Sequence, residues 1–548
     1  MRLQYGGGHM GIYLDPSTIS FEMALRSQIY VDKTGMISHL NHIVNTEQRF
    51  AAVTRPRRFG KTMAANMICA YYNRAVDTRK MFSAYRIAEK DHWNEYLNAF
   101  HVIRINMVDF VSETEGVDEC LQLLQERVLA ELKAQYPDIA ESAGRKLSFF
   151  LDDVFNRTKD QFVIVIDEWD CVFRQFREDM EGQKKYLEFL RDLLKDKDYI
   201  SLAYITGILP IKKYGQHSAL NMFTEYSMLA PQQLAEYVGF TDEEVRNLCS
   251  SYGRNYEDIR AWYDGYDLYG VVPSGETKAE EYQIYSPYSV VQAVISGQIK
   301  DYWNATETYE ALSVHINRNF SGLKDMVMLL MQGSHIPVNT RKYQNDMSSL
   351  SSADDVLTLL IHLGYLAYDS SRSEVYIPNR EVLDEYRNTI NGDHGWDRLY
   401  AVLNQSQKLL EATWAGDADT VSALLEKAHM KAGNQTCSSE AALSYAIRLA
   451  YFNAEQYDTL IPEMQAGKGY ADLVYIPSKE YPDKPAMLVE LKYDEDADTA
   501  ISQIHRQQYP SSLEKYQGNL LLIGISCSRS ISHEKAEFKH HSCVIEHA

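Results

Sequence analysis

Two stretches, 55-RPRRFGKT-62 and 162-FVIVIDEWD-170, decide how the first half of this chain is read. The first lies between a strand candidate, Arg49 to Thr54, and a helix candidate, Thr62 to Tyr72. A loop that cradles phosphates needs inward backbone N–H groups, a lysine reaching the outer phosphates, and a hydroxyl for magnesium. Gly60, Lys61 and Thr62 supply the end of that pattern in the right order, and Arg58 adds a cation beside them. Arg55 stands where GxxxxGK[ST] has its first glycine, so a basic loop capping a helix is the alternative. The second stretch tips the balance. It is an apolar strand ending in Asp167 and Glu168. A carboxylate at a strand's C-terminal end can hold the magnesium that bridges the phosphates, and its neighbour can orient the attacking water. Ligands gather at that edge of a parallel sheet. Thr206, ending the next apolar run (Ile200 to Thr206), either senses the outer phosphate or simply ends a strand.

Outward from these motifs, short apolar runs alternate with amphipathic helices. His101 to Val108 reads as a strand and Val117 to Gln135 as a helix. That rhythm predicts an α/β domain over residues 10–235, with a parallel sheet covered by helices on both faces. Residues 236–395 read as a helical middle region. Within it, 354-DDVLTLLIHLGYLAYDSSRSEVYIPNREVLDEY-386 gives helix, glycine turn, strand, polar turn, strand, helix. That order suits a winged-helix-like unit, read first as a packing lid and second as a DNA binder. Residues 396–432 read as a helical connector, and 433–548 as a second α/β domain. The first nine residues, MRLQYGGGH, read as a tag or cloning scar.

The C-terminal part carries a second constellation. In 470-YADLVYIPSKEYPDKPAMLVELKY-493, two apolar strands flank a polar turn. Period-two alternation puts Glu490 and Lys492 on one face and Leu491 on the other. Asp472 on the neighbouring strand completes a set of carboxylates for one or two divalent cations, and the lysine can position a water. Glu440 on a preceding helix and the Leu491 carbonyl are further candidate ligands, and Gln503 and Tyr509 follow on the next helix. The alternative is a solvated hairpin with an exposed ion pair. Hard oxygen donors favour Mg²⁺, with Mn²⁺ as its substitute. The run 494-DEDAD-498 reads as a solvated turn, and His540 and His541 as surface residues.

Composition sets limits on these readings. At 548 residues the chain is long enough for about three or four domains. No apolar run approaches the roughly 18 residues of a membrane-spanning helix. No signal peptide opens the chain. Seven cysteines, odd in number and without CxxC pairs, fit reduced thiols and a cytoplasmic setting. A net charge of −21 argues against a whole-surface electrostatic grip on nucleic acid, though not against a local site where metal offsets repulsion.

Taken together, 30-YVDKTGMI-37, 55-RPRRFGKT-62, 167-DEWD-170 and 206-TGILPIKKYG-215 resemble the bacterial AAA-ATPase-like domain family. Asp472, 490-ELK-492 and the helix containing Gln503 resemble the PD-(D/E)XK nuclease domain that often follows it. The missing first glycine suits that family's RPRRFGK form. The resemblance implies ATP binding at Arg58, Gly60, Lys61, Thr62, Asp167 and Thr206, with Glu168 acting in hydrolysis. It also implies a Mg²⁺-dependent nuclease centred on Asp472, Glu490, Lys492, Glu440 and Gln503. The expected partner is nucleic acid, DNA ahead of RNA, with no membrane; a homo-oligomer is left open. ATP-regulated cleavage in a bacterial cytoplasm, by analogy in defence against phage or mobile DNA, is the first expectation. A nucleotide-dependent switch with a non-catalytic nuclease-like scaffold is the second.

Overall fold

The computed structural model describes residues 10–140, 146–211, 220–271, 279–303, 320, 322–343, 350–391 and 397–432. Towards the C-terminus it describes 447, 450–451, 454, 458–466, 469–477, 481–507, 513, 516, 518–530 and 538–548. The chain folds as two compact units, Met1–Thr389 and Ile390–Ala548.

The first unit is built on a parallel sheet of β1 (Phe50–Thr54), β2 (His101–Asn106), β3 (Phe162–Asp167), β4 (Ile200–Gly207) and β5 (Thr224–Tyr226). Its order is β2-β3-β4-β1-β5. β1, β3 and β4 are buried along their whole lengths, as unbroken apolar runs must be when helices cover both faces. Ile164, Ile166 and Ile205 share one core with Leu124 and Val128 of the helix Val117–Gln135 and Leu190 of the helix Met180–Leu194. The pairs Val53↔Thr206 and Ile166↔Ile205 bring β1, β4 and β3 to a common C-terminal edge, with β4 in the middle. The strand expected over His101 to Val108 stops at Asn106. There the Asn106 side chain accepts the Val108 N–H and starts the helix Met107–Val111.

The same unit continues through two small sheets. β6 (Phe240–Thr241), β7 (Tyr266–Val271) and β8 (Ala279–Tyr285) form an antiparallel sheet in the order β6-β8-β7. β9 (Ile336–Pro337), β10 (Ala367–Asp369) and β11 (Glu374–Tyr376) form another, ordered β10-β11-β9. The helix Ala353–Leu363 opens with a capping box between Ser352 and Asp355 and ends at left-handed Gly364. With the helix Arg380–Asn391 it frames β10 and β11, which is the element order of a winged helix.

The second unit holds a five-stranded mixed sheet: β12 (Asp458–Ala466), β13 (Gly469–Pro477), β14 (Ala486–Tyr493), β15 (Leu520–Ser530) and β16 (Phe538–His547). Only β14 and β15 pair in parallel, and the helix Ala497–Arg506 makes their crossover. Ile501 and Ile504 of that helix pack on Val474, Leu488 and Leu522 on one face. On the other, Leu473, Val489 and Leu491 meet Leu409, Leu410, Val421 and Leu425. The helices Asp397–Trp414 and Ala418–Ala432, expected as a connector, therefore share the core of this sheet. Among the described residues no helix is long and apolar enough to cross a membrane.

Candidate functional sites

The loop after β1 has a backbone that ordinary residues resist. Arg58 and Gly60 both hold positive φ, 68° and 89°, the second at no steric cost because glycine lacks a Cβ. This turn delivers Lys61 and Thr62 to the start of the helix Lys61–Tyr72. Lys61 is buried, and its Nζ donates to the Pro56 carbonyl at 2.9 Å. Burial lowers its pKa, opposed by Glu168, Asp170 and Asp167. The Thr62 hydroxyl donates to the Asp167 carboxylate, while burial raises the pKa of that acid. Arg55, at the place of the absent glycine, is wholly buried beneath the loop. Its Nη1 donates to the carbonyls of Thr54 (2.8 Å) and Tyr226 (2.9 Å), and burial pushes its pKa down to about 10.

The end of β3 splits its acids by direction. Asp167 closes the strand, and Glu168 turns away through a left-handed φ of 51°. Trp169 returns to the ladder, its N–H donating to Thr206 O at 3.0 Å. Asp170 is buried and accepts the N–H groups of Ile208 (3.2 Å) and Leu209 (3.0 Å) beyond β4. Thr206 is buried between these elements and does not line the cavity described next.

A cavity of about 1040 Å³ opens over this edge. Its floor includes Arg58, Gly60, Lys61, Thr62, Asp167 and Glu168. Asn106, Val108 and Arg174 bound it on the side of β2 and β3. Ile29, Tyr30, Val31, Phe240, Tyr288 and Val291 form an apolar wall. The Arg58 guanidinium lies 3.9 Å from the centre of the Tyr288 ring. Lys33 in the same wall is partly buried and donates to Glu244 Oε2 and the Glu236 carbonyl, both at 2.6 Å. Phe59 also lines the cavity and packs edge-on against Tyr266 and Trp303.

In the second unit, backbone pairing of β13 with β14 covers Leu473–Tyr475 and Met487–Val489. Beyond it the Asp472 carboxylate takes over: its Oδ2 accepts the Leu491 N–H at 2.7 Å. Glu490 is buried on the face covered by the helix Ala497–Arg506, and its Oε1 accepts from Lys492 Nζ at 3.3 Å and from Gln503 Nε2. Lys492 is largely buried too, so the pair is not the solvated surface pair of the alternative reading. The structure thus brings Asp472, Glu490, Lys492 and Gln503 together. Glu440 and Tyr509 lie outside the described residues. Among the described residues no group of three or more His, Cys, Asp or Glu could hold a metal ion. His541, expected at the surface, is buried on β16, and its N–H donates to Glu426 Oε2 at 2.9 Å. Residues 494–496 form an exposed turn leading into the helix Ala497–Arg506.

Residues 18–216 match the family model described as predicted AAA-ATPase, and residues 443–536 match that of the PD-(D/E)XK nuclease superfamily. The chain joins an AAA-ATPase-like domain to a PD-(D/E)XK nuclease superfamily domain. A curated relative, an uncharacterized protein in the vnfD 5′ region of Azotobacter chroococcum, is 23% identical over 298 residues. The match covers 51% of this chain and 51% of the relative, so the chain spans about half the length of the curated relative it matches. Among solved structures, a Walker-type ATPase of Pyrococcus abyssi aligns with a TM-score of 0.35 at 12% identity, over 65% of this chain and 94% of that one. PCH-2 of C. elegans aligns at 0.22 and 12% identity, over 48% and 56%.

The AAA-ATPase-like domain contains residues that motif reading passed over. Arg174 donates to Glu168 through Nη2 and to Asp170 through Nε, the latter at 3.2 Å. The i,i+4 spacing of Asp170 and Arg174 was the available signal. Arg55 had no such signal, because apart from its neighbour Thr54 its partners are carbonyls far along the chain. In the nuclease superfamily domain, the Asp472 bond to a backbone N–H depends on strand register and leaves no mark in composition.

Proposed function

We propose that this protein binds and hydrolyses ATP at the loop after β1 and cleaves nucleic-acid phosphodiesters at the β13–β14 site, with nucleotide state controlling cleavage. The observation that carries the nuclease reading is the convergence of Asp472, Glu490 and Lys492 on adjacent strands. Two carboxylates with a lysine beside them fit a divalent cation and a water to be aligned for in-line attack. A cation bound there supplies Lewis acidity to the scissile phosphate. Lys492 neutralises developing charge and positions the water, while Gln503 holds the Glu490 carboxylate in place.

At the first site the arrangement fits a phosphate chain. Lys61 sits on the carbonyl of Pro56, a partner that an outer phosphate replaces with a stronger, charged one. A Cβ built on Gly60 meets nothing within 4 Å, so the cradle's mouth is open. Thr62 and Asp167 already touch, as a shared magnesium requires. Glu168 faces the cavity as the group to orient water, and the wall around Tyr288 offers an apolar surface to the base. DNA is the first substrate to test and RNA the second, and defence against foreign DNA is the setting this combination of activities fits.

Cleavage of plasmid, single-stranded DNA and RNA, with and without ATP, tests the proposal. Cutting is expected with Mg²⁺ or Mn²⁺, not with Ca²⁺, and is expected to stop with EDTA. Robust cutting in EDTA sinks the assignment of these residues. A second reading, a nucleotide-dependent switch with a non-catalytic scaffold, draws support from Glu490, whose Oε1 already accepts from two side chains. It predicts no cutting under any of these conditions while ATP still binds.

A further inference from the structure

Arg174 lies on the short helix Cys171–Gln175 and is largely buried in the cavity wall. Its guanidinium spans two carboxylates. Nη2 bonds Glu168 Oε2, and Nε bonds Asp170 Oδ2 at 3.2 Å. Asp170 is itself fixed, because its two oxygens accept the N–H groups of Ile208 and Leu209 in the turn after β4. The Glu168 backbone sits in a left-handed conformation that an L residue adopts only when its surroundings impose it, and its N–H donates to Asp167 Oδ1 at 3.0 Å. One of its oxygens is bound to Arg174, and the carboxylate still borders the cavity beside Lys61 and Asp167.

We propose that Arg174 is the positioning residue of the ATPase reaction: it sets the Glu168 carboxylate towards the attacking water and ties that setting to the turn after β4 through Asp170. The inference rests on the reading that Glu168 orients water for ATP hydrolysis. A guanidinium fork is suited to this role. It restrains the carboxylate through Oε2 and leaves Oε1 to take a water, the arrangement in which a third group orients a base. A lysine, a single point charge, cannot span both acids. Asp170→Asn weakens the anchor without touching Glu168.

The test is steady-state ATP hydrolysis and ATP binding in the full chain, comparing Arg174→Gln, Arg174→Lys, Asp170→Asn, Glu168→Gln and the double variant Arg174→Gln/Glu168→Gln. A misplaced catalytic group costs on the order of 10²-fold, so Arg174→Gln is expected to lower kcat by about 10- to 100-fold. The Kd for ATP should stay within about threefold of the parent, which also shows that the variant folds. Arg174→Lys should recover part of kcat, and Asp170→Asn should lose less than Arg174→Gln. The double variant should be no slower than Glu168→Gln alone, since Arg174 acts only through that carboxylate. A parental kcat in Arg174→Gln overturns the proposal. So does a further drop in the double variant, or a loss confined to ATP affinity, either of which makes Arg174 a direct phosphate ligand. If Glu168→Gln itself hydrolyses ATP at the parental rate, the underlying reading of Glu168 fails, and that result is distinct from any of the others.

Discussion

The two sites of this chain are held in place by different parts of the polypeptide. The first is made by backbone at strand ends: Arg58, Gly60 and Glu168 all lie at positive φ, and Lys61 and Thr62 are aimed by a turn. The second is made by register within a sheet, where Asp472 bonds the neighbouring strand's N–H and Glu490 is buried under a helix. A turn can exchange partners at small cost, as Lys61 can exchange the Pro56 carbonyl for a phosphate. A register cannot shift by one residue without turning every side chain to the other face. On the function proposed above, the sensing of nucleotide falls to the site that can rearrange and the chemistry on nucleic acid to the site that cannot.

Separate loss of each activity is the strongest test of that contrast. Asp472→Ala or Glu490→Ala should lower metal-dependent cleavage by about 10³-fold, the scale of several kcal/mol that metal coordination supplies, and leave ATP affinity unchanged. Lys492→Ala should cost about 10²-fold in the same plasmid-cutting assay while metal affinity stays level or rises slightly, since a cation beside the ion is gone. In the other domain, Lys61→Ala should weaken ATP binding by about 10²-fold, as it removes the lysine aimed at the outer phosphates. Glu168→Gln should keep binding and slow hydrolysis by a similar factor. Parental cleavage in all three nuclease-site variants would remove the second site from the comparison altogether.

Legibility in the sequence followed the same divide. Apolar runs such as Phe162 to Ile166 declared the parallel sheet because burial on both faces leaves no polar position to confuse the period. Gly60, Lys61, Thr62 and Asp167, which line one cavity, could be singled out because a phosphate-binding loop calls for those residue types in that order. What stayed hidden depends on contacts distant in the chain. Arg55 replaces a glycine because its guanidinium holds the carbonyls of Tyr226 and Leu234 under the loop, some 171 and 179 residues away. His541 looked like a surface residue because nothing local reveals that β16 pairs with β15 and that Glu426 meets its N–H. The end of β2 was misplaced by two residues because an asparagine cap reads, in sequence, like one more polar strand position.

A smaller effect should come from the far side of the phosphate loop. Gly364 has φ of 89°, and a Cβ there would lie 2.7 Å from the Pro56 Cβ and 3.0 Å from the Trp303 ring. Gly364→Ala therefore adds left-handed strain and a clash, together about 2–3 kcal/mol, to be read as a lower unfolding midpoint. Because the clash is with Pro56, whose carbonyl holds Lys61, ATP affinity should fall as well. Unaltered affinity would mean that the loop is insulated from the winged-helix-like element behind it.

The smallest expected change in stability is at Gly60, and it separates the ligand's space from the protein's. Gly60 also has φ of 89°, yet a Cβ there meets no atom within 4 Å. Gly60→Ala should therefore cost only the backbone strain, about 1–2 kcal/mol, in thermal unfolding of the ligand-free protein. The open space beside it is where the phosphates would lie against the backbone N–H groups. A methyl group there obstructs the ligand but no part of the protein. ATP affinity should then fall by more than the stability loss predicts, so the variant's unfolding midpoint should rise less than the parent's when ATP is added. Equal rises on adding ATP would place the phosphates away from Gly60 and break the assignment of this turn as the part of the molecule that senses nucleotide.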